Sequence, residues 1–463
     1  MTIVQSTSPQ QPSDVVVSVP AAGPAEVARA ADEIRAAQPG WAACPPATRA
    51  AALDAAATAV ADAADELTAL VIREVGKPRA EAAGEVARSV AILRYYAQQV
   101  YHPLGAVHAS SAGAGLTYTR RRPRGVAGLI TPWNFPLAIP IWKAAPALAC
   151  GNGVLLKPAP QSTACALRLH ELIAPHLPDG LLHVLPGDAE AGRAVIDFAD
   201  VVSFTGSRSV GSGVAVAACE RGVPVQCEMG GQNPAVVLRD ADLASAAAQI
   251  ASAAFGFAGQ KCTATKRIVV VDRAAEFTSA FLDAARKLAV GDPADAATVV
   301  GPVIDQPARD RVVEAAAGAV DAGGRVLMGG ADEAHDGWFV APTVVDGLPD
   351  GHDLLCEEVF GPICAIVAVG SDAEAVRVAN SVRYGLTAAV YTSDLGSALQ
   401  ITGGLSAGQL KVNAPTTGVD FYLPFGGERD SSYGEREQGT AALEFYTSLH
   451  TVTVAVPARG EQE

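Results

Sequence analysis

The sequence predicts an α/β protein built from two doubly wound parallel-sheet domains. Three observations carry this. Short apolar runs alternate strictly with helical segments from residue 126 onward. The alternation comes in two separate series. And 463 residues exceed what a single core usually holds. Hydrophobic residues make up 49% and charged residues 18%, with mean hydropathy +0.22, so the chain can bury large cores and lies far from the composition of disorder.

Residues 24 to 100 are Ala-rich with helical periodicity and open on Pro24, a first-turn residue, so they form a helical N-terminal layer. LTYTRRRPRG at 116 to 125 alternates as a strand does but has no apolar face to bury, and reads as a projecting hairpin. The first series then runs VAGLI, a helix near 137 to 149, VLLKP, a helix near 162 to 174, LLHVLPG, a helix near 188 to 196, VVSFTGS and a helix near 207 to 219. The second begins after PVQCEMGGQNP with AVVL, a helix over 242 to 255, KRIVVV and a helix over 274 to 289, and continues through AIVAV and AAVYT to about 412. Each series has the form of a parallel sheet covered on both faces, a Rossmann-like arrangement suited to a dinucleotide.

Lys and Arg number 34 against 49 Asp and Glu, a net charge of −15 that repels nucleic acid and anionic lipid. The start has no basic stretch leading into an apolar one, and no run of 18 apolar residues follows, so the expected address is cytoplasmic, with no membrane partner. Eight cysteines without a CxxC, and without ligand-like pairing to the eight histidines, indicate neither a disulfide framework nor a metal site.

No GxGxxG is present. In its place, FTGSRSVG runs from a strand into Gly206 and Ser207 with Gly211 one turn on, which aims backbone N–H groups and a hydroxyl at one spot and suits a phosphate. Lys157 ends a strand, where its ammonium can meet ribose hydroxyls. Cys262 lies in a loop, FGFAGQKCTATK, beside Lys261, a setting for a reactive thiolate. Glu228 in QCEMGGQNP is a candidate base, and Asn134 in TPWNFP holds its amide in a rigid frame suited to an oxyanion. Taken singly, each has an ordinary reading: a strand-to-helix turn, a solvated lysine, a core cysteine, a surface glutamate, a turn asparagine.

Together, TPWNFP, LLKP, FTGS, EMGGQNP, GQKCTA and EEVFGP occur in an order and spacing that resembles the aldehyde dehydrogenase superfamily over nearly the whole chain. The resemblance implies that Cys262 is the nucleophile, that Asn134 and the Cys262 backbone N–H hold the oxyanion, that Glu228 activates the hydrolytic water, and that Lys143 serves a proton relay or a structural role. It implies an NADP or NAD site with Trp133 and Lys157 at the two riboses, Ser207 at the pyrophosphate, and Glu358 with Phe360 clamping the nicotinamide ribose. Thr131, Pro132, Ser162, Gly206, Gly211 and Met229 complete the cofactor set. Pro160 departs from NAD-preferring members, which carry a Glu there; without that carboxylate, and with Lys157 and Ser162 near, NADP is expected to be accepted and favoured.

The resemblance also implies domains at 1–102 with 123–229 (cofactor) and at 230–445 (catalysis). A small β ribbon, 103–122 with 446–463, would build a homodimer or homotetramer. The tail NAPTTGVDFYLPFGGERD looks closest to the branch acting on 2-oxoglutarate semialdehyde (2,5-dioxopentanoate). Against this, no Arg falls in 135–142, 255–263 or 415–424, the segments expected on the pocket wall, and an apolar pocket would favour an aliphatic or aromatic aldehyde, with succinate semialdehyde a further alternative. From other classes, a cofactor-independent esterase and a catalytically silent binding protein stay open.

Overall fold

The computed structural model describes residues 2–102, 105–111, 115–330 and 336–455. Its first sheet has six strands in the order Ser432–Tyr433, Val225–Glu228, Val201–Thr205, Val126–Ile130, Gly153–Lys157, Leu182–Val184. All neighbours are parallel except the Ser432–Tyr433 edge, which pairs Ser432 with Glu228. The chain enters at Val126–Ile130, winds outward, then returns to the other side at Val201–Thr205. That reversal opens a crevice beyond the carboxyl ends of these two strands, where Thr131 and Gly206 follow.

The second sheet has seven strands, Arg325–Met328, Thr343–Asp346, Ile363–Val369, Thr265–Val271, Asn233–Val237, Thr387–Tyr391, Gln409–Val412, parallel apart from the first edge. Val126–Ile130 and Gly153–Lys157 in the first sheet, and Asn233–Val237, Thr265–Val271 and Thr387–Tyr391 in the second, are buried at every residue, as expected of sheets covered by helices on both faces. Expected helices appear with small shifts at their ends: Ala189–Phe198, Leu243–Phe255 capped by Asp242, and Ala274–Ala285, which stops short of 289. No helix is long and apolar enough to cross a membrane among the described residues.

Two features differ from expectation. Residues Ile3–Ser8 and Gln11–Pro20 form an antiparallel hairpin; its buried face is Val4, Ser6 and Ser8, too polar a set to read as a strand. And Gly115–Pro123 does not fold back on itself as a simple hairpin. Its full-length partner is Thr447–Ala455, in register from Pro123↔Thr447 to Gly115↔Ala455, with Val107–His108 on its other edge. Alternation identifies a strand but not its mate. The arginines of RRRPR serve the chain itself: Arg121 and Arg124 donate to the carbonyls of Glu444 and Phe445. Residues 103–104, 112–114 and 456–463 of the expected ribbon lie outside the described residues.

The N-terminal helices are tied to the sheets by a buried ion pair. On the helix Arg79–Gln99, Glu85 contacts Lys77 through one oxygen and with the other accepts from the backbone N–H groups of Leu137 (2.9 Å) and Ala138 (3.0 Å), capping the helix Ala138–Ala149. The Lys77 ammonium lies 3.7 Å from the Phe135 ring centre and 4.7 Å from that of Phe257. Removing one partner of such a pair strands a buried charge, so Lys77→Met is expected to cost about 3–5 kcal/mol, read from the urea midpoint. A loss below about 1 kcal/mol would mean the pair is energetically idle, as exposed pairs are.

Candidate active site

Cys262 follows a strained turn. Phe257 and Ala258 adopt left-handed backbone angles (φ 54° and 53°), each costing roughly 1–2 kcal/mol for a non-glycine residue, and Gly259 continues the path. The strain is held by contacts on every side. Gln260 donates from Nε2 to the carbonyls of Phe257 (3.3 Å) and Pro302 (3.2 Å), and its Oε1 accepts from Ile304 N (2.9 Å). Asn233 Nδ2 donates to the carbonyls of Cys262 (2.7 Å) and Ala264 (2.8 Å). The chain is thus pinned before and after the sulfur. Burial pushes the Cys262 thiol up to about 12, with the carboxyls of Glu358, Glu228 and Glu437 adding to the effect.

Asn134 is buried beside this loop, and its Nδ2 donates to the Gln260 carbonyl at 3.0 Å. One amide hydrogen is used to fix the side chain, which leaves the second for a ligand. Glu228, the last residue of its strand, is buried; Oε2 accepts from Ser432 Oγ at 2.5 Å, and Oε1 has no partner. Burial first, then the nearby Glu437, holds its carboxyl well above the usual range. Lys143 contacts Glu437 and donates to Ser203 Oγ at 2.7 Å; that hydroxyl lies 3.1 Å from Gln226 Oε1 and 3.2 Å from Glu437 Oε1.

Ser203, Gln226, Ser432 and Glu437 were not singled out from sequence. Ser203 in VVSFT and Gln226 in VQCE did carry a readable signal: a polar side chain between buried residues of a strand needs a partner. Ser432 and Glu437 carried none, since they lie in a polar stretch that resembles any exposed loop.

Thr131, Lys157, Gly206 and Met229, expected at the cofactor, stand at or just past the carboxyl ends of the first sheet's parallel strands. Thr131 Oγ1 is buried without a partner. Lys157 is buried, its ammonium meets no hydrogen-bond acceptor among the described residues, and burial lowers its pKa to about 8 against the opposing charge of Asp188. Ser207 caps the helix Arg208–Glu220, accepting from Val210 N at 3.4 Å, and Gly206 N donates to the Glu228 carbonyl at 3.1 Å. Gly211 lets that helix pack on Met229, where a Cβ would come 2.6 Å from the sulfur. A Cβ on Gly230 would overlap the Glu358 carboxylate, whose Oε1 accepts from Gly231 N at 3.2 Å. Burial raises Glu358 to about 7, with Gly231 and Lys266 acting against it. Beyond Pro132, Trp133 meets Phe360 edge-on at 5.7 Å. Unpartnered hydroxyl and ammonium groups, beside a helix N-terminus, fit a dinucleotide's riboses and pyrophosphate. Ser162 differs from expectation: it is buried in the turn begun by Pro160, and its hydroxyl donates to the Ala159 carbonyl at 3.3 Å, so it presents no free donor to a 2′-phosphate.

On the far side of Cys262 lies a cavity of about 330 Å³, walled by Phe135, Trp142, Thr263, Val419 and Phe425. It also contains Arg88, which corrects the expectation of a wall without arginine: the helix Arg79–Gln99 supplies the cation from outside the three segments read as wall.

Glu228 yields a pH test. Its folded pKa is raised, so the folded chain binds more protons than the unfolded one, and its contribution to stability falls as pH rises through the unfolded value of about 4.3. Relative to the parent, Glu228→Gln is expected to gain in Tm between pH 4 and pH 8 by scanning calorimetry; a steady loss over that range would show the ionised carboxylate to be stabilising. The thiol yields another. Peptide mapping after iodoacetamide treatment without cofactor should show Cys262 alkylation climbing through pH 9 with no plateau near pH 7 to 8.

The aldehyde dehydrogenase family model matches residues 2–452. The alpha-ketoglutaric semialdehyde dehydrogenase of Bacillus subtilis (strain 168) is 36% identical over 98% of this chain and 94% of its own length. The alpha-ketoglutarate semialdehyde dehydrogenase of Haloferax volcanii is 40% identical over 96% of this chain and 94% of its own. The crystal structure of an NAD-dependent aldehyde dehydrogenase from Sinorhizobium meliloti superposes with a TM-score of 0.95 at 31% identity, covering 100% of this chain and 93% of that one. The match over nearly the whole length and these relatives show that the chain belongs to the aldehyde dehydrogenase family, oxidoreductases that act on aldehydes with NAD(P).

Proposed function

We propose that the protein oxidises a semialdehyde of the 2-oxoglutarate semialdehyde type to its acid, through a thioester on Cys262 that Glu228 helps to hydrolyse. The observation that supports the chemistry is that Cys262 stands on the wall of the 330 Å³ cavity, with Asn134 bound to the Gln260 carbonyl two residues before it and the charge of Glu228 reaching its thiol. The two semialdehyde dehydrogenases above support the substrate class.

The resting thiol is protonated at neutral pH, so its proton must leave as the sulfur attacks the carbonyl carbon; Glu228, whose Oε1 is unpartnered, is the acceptor. The new C–S bond places negative charge on the former carbonyl oxygen, and Asn134 Nδ2 with the Cys262 backbone N–H stabilises it. Trp133, Glu358 and Phe360 would hold a nicotinamide, which when bound would supply the oxidant for that carbon's hydride. Once Glu228 has released the thiol proton, it takes one from water as the water oxygen attacks the thioester carbon, the C–S bond breaks, and the carboxylate product leaves with sulfur as thiolate. Excess protons pass to the buried Lys143, Ser203 and Glu437 group.

At the adenosine ribose, the neutral Pro160 and the unpaired Lys157 favour NADP, while Asp188 opposes it; both cofactors are used, NADP the better. A ratio of kcat/KM favouring NAD by more than about tenfold would overturn that preference. Residues 1–102 with 123–229 bind the cofactor and 230–445 carry catalysis, with Ser432–Tyr433 reaching back to the first sheet. A homodimer or homotetramer is supported by the open edge strand Gln409–Val412, with Leu410 and Val412 exposed, and by Leu449 and Val454 exposed on the ribbon. Cysteines unpaired throughout suit the reducing cytoplasm.

The test is formation of reduced nicotinamide with a panel of 2-oxoglutarate semialdehyde, succinate semialdehyde, butanal and benzaldehyde. Asn134→Ala is expected to lower kcat by about 100- to 1000-fold, and Cys262→Ser to abolish oxidation while leaving cofactor binding intact. Ester hydrolysis without any cofactor reduction would favour the esterase reading instead.

A further inference from the structure

The cavity beside Cys262 has aromatic and aliphatic walls, yet Arg88 projects into it from the helix Arg79–Gln99. Its Nη2 donates to the Val419 carbonyl, and its Nε is buried with no acceptor. No carboxylate lies within ion-pair distance of it among the described residues. The acidic groups whose charge reaches it are Asp420 and Glu85, with the Cys262 thiol. Glu85 is committed to Lys77 and to two backbone N–H groups. The other cation on the wall, Lys261, is paired with Glu81 at 2.8 Å, and Lys411, which faces Arg88 from the neighbouring strand, donates to the carbonyls of Thr417 and Gly418. A half-buried guanidinium left with an unused donor in an apolar cavity is costly unless an anion completes it. A planar carboxylate matches its fork of donors.

We propose that Arg88 is the specificity-determining residue of this enzyme: it receives the distal carboxylate of the substrate, so that the aldehyde end lies at Cys262. The inference rests on the semialdehyde reading above and names the group that selects for it.

The experiment compares succinate semialdehyde with butanal, the same chain without its carboxylate, using parent, Arg88→Met and Arg88→Lys with cofactor present. In Arg88→Met the ratio of kcat/KM for the semialdehyde over that for butanal is expected to fall about 10- to 100-fold, mostly through KM. Arg88→Lys should recover part of it. If Arg88 merely clamps Val419, both substrates lose together and the ratio stays, which overturns the proposal; so does a ratio unchanged with no loss on either.

A second readout is independent of turnover. Glutarate should slow iodoacetamide alkylation of Cys262 in the parent and in Arg88→Lys but not in Arg88→Met. Protection that survives in Arg88→Met overturns the anchor. Should the parent reduce no cofactor with any aldehyde while glutarate protection still depends on Arg88, the functional reading fails and the carboxylate site stands.

Discussion

One buried carboxylate organises much of this molecule. Glu85 sits among apolar side chains, where an ion is tolerated only if its lone pairs are filled, and it is filled by the Lys77 ammonium and two backbone N–H groups at the start of the helix Ala138–Ala149. The same helix end follows directly on the Asn134 turn, so the contact helps set the position of Asn134, the proposed oxyanion donor. Lys77 in turn covers Phe135 and Phe257, the latter within the strained left-handed turn that leads to Cys262. Three segments distant in sequence are thereby locked to one point. Glu81 and Arg88 lie one turn to either side of Glu85 on the same helix face, and all three line the cavity.

Burial sets the electrostatics of the site. It disfavours ions, so it pushes up both the Cys262 thiol and the Glu228 carboxyl; the Glu228 charge raises the thiol further, and Glu437 raises Glu228. A carboxyl raised in this way is a stronger base for the thiol proton than an exposed one. The net charge of −15 has little bearing on cofactor capture, because the crevice presents local donors: Lys157, the Thr131 hydroxyl and the helix start at Ser207.

The strict alternation of strands and helices was legible because fully buried parallel strands read as unbroken apolar runs bounded by turn residues. The N-terminal hairpin was not, because its inward face is Val, Ser and Ser; Ser6 earns burial only by donating to the Glu74 carboxylate at 2.6 Å. The ribbon was legible as a strand at 116–125 from its alternation; its mate at the chain's other end came from the family resemblance, and Gly115–Pro123 does pair with Thr447–Ala455. At the site, Cys262, Glu228, Asn134 and Lys157 stood out because short motifs surround them with glycine, proline or aromatic residues that a tight loop requires. For Ser162 only its nearness to Lys157 in the chain was legible; where its hydroxyl points, toward the Ala159 carbonyl, depends on the local turn.

The sequence by itself determined the two-sheet architecture, the order of elements and the principal chemical groups, since these follow from periodicity and from local loop motifs. Only the tertiary structure decided which carboxyls burial pushes up, which serine holds Glu228, and that Arg88 stands in the cavity beside Cys262. Those facts depend on burial and on distances between segments hundreds of residues apart, and electrostatic energy is set by such distances and by exclusion of water, not by the identity of chain neighbours.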